Sequence, residues 1–332
     1  MDEEILQAAA SPPLTPQPPK HGVHWVFFGA EGLRAGWGVL LFVLLFIGFG
    51  FLTAQVLRHL LPHSHHSAVL PLRLALISEG AQMVPLLLAT AIMALIERRS
   101  LLAYGYQGPA RAVRLISGLV WGFVALSALV LVLWKARLLA FDGVQLHGPA
   151  IWKYALGWGL LFLVVGIFEE STLRGYLQFT LTRGIGFWWG ALLLSGLFGF
   201  IHGTNPGETL VGLFTAAAVG LVFCLSLWYT GSLWWAVGCH AGWDWGESYF
   251  YGTSDSGMVA QGHLLGEHPI GQMLWSGGTT GPEGSLLALA LLAFMALIMW
   301  LWWGRRVRSP FSGSGWRPAW SKAKPVDTLP AL

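Results

Sequence analysis

The sequence predicts an all-α fold: a polytopic transmembrane helix bundle of about eight spans with an intramembrane polar chamber. Three observations lead there. Only 11% of the 332 residues are charged, less than half of the roughly 25% typical of a soluble domain. Mean hydropathy is +0.60. Eight runs also stay apolar over the approximately 20 residues that a helix needs to cross a hydrocarbon core. Together these exclude a soluble globular protein, a disordered chain and a collagen-like one. The 43 glycines and 19 tryptophans agree, since Gly is frequent in membrane helices and Trp at their interfaces.

The elements follow in order. Residues 1–35 read as a disordered, Pro-rich N-terminal arm. It opens with Asp2, Glu3 and Glu4, has no basic start, and runs into Ser11-Pro12-Pro13-Leu14-Thr15-Pro16-Gln17-Pro18-Pro19, so it does not read as a signal peptide. Residues 36–150 hold N-terminal transmembrane helices, from apolar runs near 37–57, 69–96 and 115–134, with a cytoplasmic loop bearing Arg98, Arg99, Arg111 and Arg114. Runs near 152–180, 186–203, 208–229 and 232–249 make up a core over 151–250. Residues 251–284 read as a Gly-rich, flexible outer loop, with a lid or re-entrant turn as alternatives. Residues 285–304 form the last transmembrane helix, and 305–332 a basic tail with Arg305, Arg306, Arg308, Arg317, Lys322 and Lys324.

The placement of Lys and Arg orients the bundle. The basic loop and basic tail fall on one side with the N-terminus, so both termini are expected in the cytoplasm. The stretch from Glu247 to Ser285 has no Lys or Arg, only Asp255, Glu267 and Glu283, and is placed outside. Lys135 and Arg137 fall on the outer side and run against this scheme. There is no internal repeat, which argues against an inverted-repeat transporter. Cys224 and Cys239 lie in apolar runs, so neither a disulfide framework nor a CxxC metal site is available. A net charge of +3 without a Lys/Arg block interleaved with aromatics argues against nucleic-acid binding.

Charge at bilayer depth costs roughly 2.5–3.5 kcal/mol per residue on insertion scales, so intramembrane polar residues mark pairs or wet cavities. Three groups stand out. In Phe168-Glu169-Glu170-Ser171-Thr172-Leu173-Arg174, Glu170 and Arg174 stand four residues apart on one stripe and can pair. Glu169 is rotated by ~100° and faces elsewhere, available for chemistry. A helix end snorkelling at the interface is the bland alternative. Phe198-Gly199-Phe200-Ile201-His202 ends the fifth run, beside a small-residue face of Ser195, Gly199 and Gly203. In His240-Ala241-Gly242-Trp243-Asp244, the histidine and aspartate share a face, and Asp244 can orient or charge the ring. A self-contained polar pair is the alternative there. Counting along each helix sets His240 roughly 14 Å and His202 roughly 24 Å from the inner ends, a gap that a kink at Gly199 or Gly203 would close.

A desolvated carboxylate, two imidazoles and a second carboxylate on three apolar helices are the parts needed to activate water against an amide. The order Glu-Glu-x-x-x-Arg, Phe-x-x-x-His, His-x-x-x-Asn/Asp resembles the CPBP family, the intramembrane CAAX prenyl proteases and bacteriocin-processing or immunity-type (Abi) enzymes. The resemblance covers about 95–250 and includes the preceding loop from Glu97 to Tyr106. It implies a glutamate-type endopeptidase acting on a membrane-associated protein or peptide, in a bacterial plasma membrane. By the same resemblance Glu169 and His202 would activate the water, and His240 and Asp244 would line the oxyanion site. Glu170, Arg174 and Phe198 would support them. No cofactor is required, although Glu169, His202 and His240 could ligate zinc. Asp244 stands where many members have Asn, and an ionised Asp there would repel an oxyanion. The rival class is a non-catalytic membrane protein, a binding or immunity partner or a transporter, using the same residues as a buried network.

Outside these groups, Glu79 with Gln82 lies mid-span, where it can bond a neighbouring helix or line the same cavity. His59, His63, His65 and His66 cluster in the first outer loop without an evident role. Trp234, Trp235, Trp243 and Trp245 read as anchors and packing.

Overall fold

Backbone groups in hydrocarbon must be satisfied internally, which leaves the helix as the form open to long apolar runs of this kind. In the computed structural model, which describes residues 22–29, 32–60 and 69–312, each of the eight runs coincides with a helix. Six are long and apolar enough to cross a membrane: Ala35–His59, Leu72–Ile96, Arg111–Lys135, Pro149–Ile185, Leu210–Thr230 and Leu286–Gly304. The chain is an integral membrane protein. Large apolar side chains such as Leu44, Phe51, Leu156 and Phe200 are exposed on the bundle's outer surface, as lipid-facing positions should be.

A short helix α1 (Val23–Phe27) leads into a small antiparallel pair, β1 (Phe28–Gly29) with β2 (Gly32–Leu33). Within the expected arm 1–35, residues 22–29 and 32–35 are therefore structured, and Arg34 donates to the Trp25 carbonyl (2.8 Å) and Trp37 to that of Val26 (3.0 Å). The long helices α2 (Ala35–Leu60), α3 (Leu72–Ile96) and α4 (Arg111–Lys135) follow, with β3 (Val69–Leu70) before α3 and β4 (Leu139–Val144) after α4. Then come α5 (Pro149–Glu170), a π-helical stretch Ser171–Leu177, and α6 (Gln178–Ile185) as one kinked span. The helices α7 (Phe187–His202), α8 (Leu210–Thr230) and α9 (Trp234–Asp244) complete the core, α9 running on as a second π-helix, Trp245–Tyr251. After β5 (Val259–Ala260), β6 (Leu265–Pro269) and α10 (Met273–Ser276), α11 (Leu286–Met299) is the last span. The Pro-rich stretch 11–19, His63, His65, His66, Arg317, Lys322 and Lys324 lie outside the described residues. His59 stands in the last turn of α2.

The segment 251–284 differs most from expectation. It is built onto the bundle: β5 pairs in parallel with β3, and β6 pairs antiparallel with β4 across an irregularity at Phe141/Gly143. Its lack of period hides this, because short strands turned by glycines leave no apolar alternation. Thr253 and Thr280 within it are fully buried.

The tightest helix pair is α4 against α9. Gly118 and Gly122 of α4 face Gly238 and Gly242 of α9, four residues apart on each helix. A Cβ at Gly122 would run into the Cys239 carbonyl, and one at Gly242 into the Leu119 carbonyl. Backbone meets backbone here, as small residues allow in membrane helices. On its other side α9 meets α5 at Gly166, where a Cβ would stand 2.9 Å from the Val237 carbonyl and 3.6 Å from Cβ of His240. These two approaches bring His240 to the acids of α5.

Candidate active site

Both acid-bearing helices loosen immediately after their acids. The α5 backbone passes into the π-helix at Ser171, directly after Glu170, and breaks at Gly175 (φ −81, ψ −121). The α9 backbone does the same at Trp245, directly after Asp244. A π-turn places side chains out of ordinary helical register and recurs at functional sites. The α7 helix runs unbroken through Gly199 to His202 and ends at Gly203, so no kink at Gly199 closes the depth gap.

The imidazole of His240 lies among three carboxylates. Its Nδ1 is 3.1 Å from Oε1 of Glu170, and its Nε2 is 3.5 Å from both Oε2 of Glu169 and Oδ2 of Asp244. The same Oε1 of Glu170 accepts from Nη1 of Arg174 at 3.1 Å, both side chains having no exposed surface. Glu170 thus holds both the guanidinium on its own helix and the ring on α9. Glu169 keeps 27% of its side-chain surface accessible, against none for Glu170, which separates the acid open to solvent from the one committed to structure. Oε2 of Glu169 has no hydrogen-bond partner.

Arg174 is sealed in by aromatic faces, with its guanidinium carbon 4.5 Å from the ring centroid of Phe198 and 5.9 Å from that of Phe223. Burying the cation against these rings is favourable where water is excluded. Gly220 of α8 leaves the room, since a Cβ there would collide with Nη2 of Arg174. Phe198 meets His202 edge-on at 4.4 Å. Nδ1 of His202 is 2.8 Å from the Phe198 carbonyl, and donating to that oxygen leaves Nε2 as the ring's acceptor.

Glu169, His202, His240 and Asp244 all line one cavity of about 260 Å³, together with Phe198. Ion-pair distance joins Glu169 and Asp244 to His240, and His202 lines the same cavity. Several lining groups were not picked out from sequence as site residues. Asn205 follows His202 in the turn after α7, and Asp255, Ser256 and Glu283 come from the segment 251–284. Asp255 and Glu283 were visible only as acids in a stretch free of Lys and Arg. Glu79 and Gln82, bonded to each other at 2.9 Å, line the cavity from α3. Trp243 lines it as well, while Trp245 donates to the Ala155 carbonyl at 2.9 Å and Trp235 is buried in the core.

The kinked stretch is braced from the opposite end by Glu97, at the foot of α3. It accepts from Arg183 (2.8 Å) and Tyr176 (2.9 Å) through Oε1, and pairs with Arg99 (3.3 Å) and Tyr104 (3.3 Å) through Oε2. Burial, then the charge on Glu97, pushes the Tyr104 hydroxyl far above its ordinary range, so it stays a donor. Tyr106 bonds Ser171, the first residue of the π-helix.

Among the described residues, one group of three His, Cys, Asp or Glu side chains brings ligand atoms mutually within 4.8 Å: Glu247, Asp255 and Glu283. Glu169, His202 and His240, the set weighed for zinc, lie outside that group.

Against this geometry, a family model described as type II CAAX prenyl endopeptidase Rce1-like matches residues 151–246. The match spans α5 to α9 and so includes Glu169, Glu170, Arg174, Phe198, His202, His240 and Asp244. At family level it supports a CAAX-protease-like intramembrane endopeptidase. No curated protein matches the sequence.

Proposed function

We propose that this membrane protein is a glutamate-type intramembrane endopeptidase that hydrolyses a peptide bond of a membrane-associated protein or peptide. One observation carries the reading: the cavity walled by Glu169, His202, His240 and Asp244 leaves an oxygen of Glu169 without a hydrogen-bond partner beside Nε2 of His240. Glu169 takes the proton from a water entering that cavity, and Nε2 of His202 helps to hold the water. The oxygen attacks the carbonyl carbon of the peptide, and His240 donates to the oxyanion that forms; as the oxyanion collapses the C–N bond breaks, and the amine leaves with the proton that Glu169 took from the water. Asp244 works through His240, which it orients from the same helix. Glu170 and Arg174 fix the ring and the helix bearing it.

The arrangement of charge supports an orientation. Arg98, Arg99, Arg111, Arg114, Arg183, Arg305, Arg306 and Arg308 gather at the end of the bundle opposite β3–β6, which by the positive-inside rule is the cytoplasmic end. Both termini then lie in the cytoplasm, in keeping with a bacterial plasma membrane. Asn205, Ser256 and Met258 line the cavity toward its other end.

The test uses purified protein in detergent with a peptide library that includes prenylated and unmodified members, products being read by mass spectrometry. Glu169→Gln should lower turnover about 10²–10⁴-fold, the usual worth of a general base, with the helical content unchanged. Turnover retained in that variant would remove the proposed base.

A further inference from the structure

Among the described residues, three carboxylates outside the set proposed for catalysis bring one oxygen each to within 4.8 Å of the others. Glu247 belongs to the π-helical continuation of α9, Asp255 to the turn that follows, and Glu283 to the turn before α11. Oxygens around Ca²⁺ stand 2.3–2.6 Å from the ion and those around Mg²⁺ about 2.0–2.1 Å, so ligands on opposite sides are roughly 4–5 Å apart. The three oxygens therefore fit a single coordination sphere.

A second observation concerns one side chain. Glu247 is fully buried; its Oε2 accepts from Nε1 of Trp243 at 2.7 Å, but its Oε1 has no hydrogen-bond partner. That oxygen points toward the 281–283 turn, because a Cβ at Gly281 would stand 3.2 Å from it and would also strike the Ser254 carbonyl. The other two acids are oriented by hydroxyls. Asp255 accepts from Ser248 at 2.8 Å, and Oε1 of Glu283 accepts from the amide and hydroxyl of Ser256 at 2.8 and 2.7 Å. Among the described residues, no Lys or Arg ion-pairs with any of the three.

We infer that Glu247, Asp255 and Glu283 bind one hard divalent cation, Ca²⁺ or Mg²⁺, which ties the 252–284 segment to the end of α9. All-oxygen, carboxylate-rich ligation selects such ions over zinc or copper. Asp255 and Glu283 also wall the cavity, so the ion would clamp one side of the chamber. The inference stands on these residues alone and does not require the peptidase reading.

Trp243 supplies a probe, since an indole bonded to a ligand carboxylate can sensitise terbium emission. Full-length protein in detergent is stripped with EDTA and titrated with Tb³⁺, then back-titrated with Ca²⁺ and with Mg²⁺. Emission should saturate at one Tb³⁺ per chain. Ca²⁺ should displace it, or Mg²⁺ if that is the native ion, and the effective ion alone should raise the unfolding temperature. Asp255→Asn combined with Glu283→Gln should weaken binding by at least about ten-fold, given that groups merely orienting a ligand are worth that much. Should the double variant fail to fold, Asp255→Asn alone serves. The inference is overturned if the wild type shows no saturable emission, if neither ion displaces Tb³⁺, or if a folded variant binds as tightly. Peptidase activity is not read, so failure here and failure of the proposed function are separate results.

Discussion

Oε1 of Glu170 lies 3.1 Å from Nδ1 of His240, joining two helices whose sequence positions differ by 70 residues, and accepts from Arg174 at the same distance. One buried oxygen thus serves both a permanent cation and a ring. Removing either long partner strands a charge where water cannot reach it, at a cost of about 3–5 kcal/mol. Glu170→Ala and Arg174→Ala should each lower stability by that order in denaturant titrations followed by circular dichroism. Glu169→Gln should leave the same transition within about 1 kcal/mol, because its side chain is open to the cavity. Equal losses in all three would erase the division of labour between the two acids.

Part of this arrangement was legible in the sequence, for physical reasons. The Glu170–Arg174 pair follows from four-residue spacing, and so does the shared face of His240 and Asp244, found 3.5 Å apart. Long apolar runs dictated the helices. The contact of Glu170 with His240 could not be read this way, because it depends on how α5 and α9 approach through Gly166. Nor could the positions of Asp255 and Glu283, whose segment has no hydrophobic period and is shaped by its pairing with β3 and β4. The π-helices were equally hidden, since no residue pattern near Ser171 or Trp245 announces a change of register.

The mechanism proposed through Glu169 makes a prediction about inhibitors. A chelator of transition metals such as 1,10-phenanthroline should leave peptide hydrolysis unchanged at concentrations that silence zinc peptidases. Time-dependent loss of activity, restored by added zinc, would instead assign Glu169, His202 and His240 to the metal.

Packing at the α4–α9 contact can be tested independently of chemistry. Gly122→Leu would push its side chain into the Cys239 carbonyl, and Gly242→Leu into that of Leu119. Neither helix can yield without shifting His240 and Asp244. Overpacking of this kind costs about 1–3 kcal/mol or more, so both variants should unfold at lower denaturant and lose activity together. Gly80→Leu is the control, as a Cβ at Gly80 meets nothing within 4 Å, and it should match the parent in both assays.

The β4–β6 pair should respond to pH through Glu267, which sits opposite Phe141 in the register. Burial, with Asp142 adding and His268 opposing, raises its carboxyl from 4.5 to about 7. The folded state therefore holds this proton to higher pH than the unfolded chain does. Stability from the group is complete below about pH 4.5 and is lost as pH rises through about 7, by roughly 1–3 kcal/mol for a shift of this size. Amide hydrogen exchange over Leu139–Val144, corrected for its intrinsic pH dependence, should show weaker protection at pH 8 than at pH 5. Glu267→Gln cannot ionise, so its protection should stay level across that interval and exceed the parent's at pH 8. Because Asp142 and His268 are present in both proteins, any part of the slope that they cause would survive the substitution. An unchanged slope would therefore place the titration on those two groups and not on Glu267.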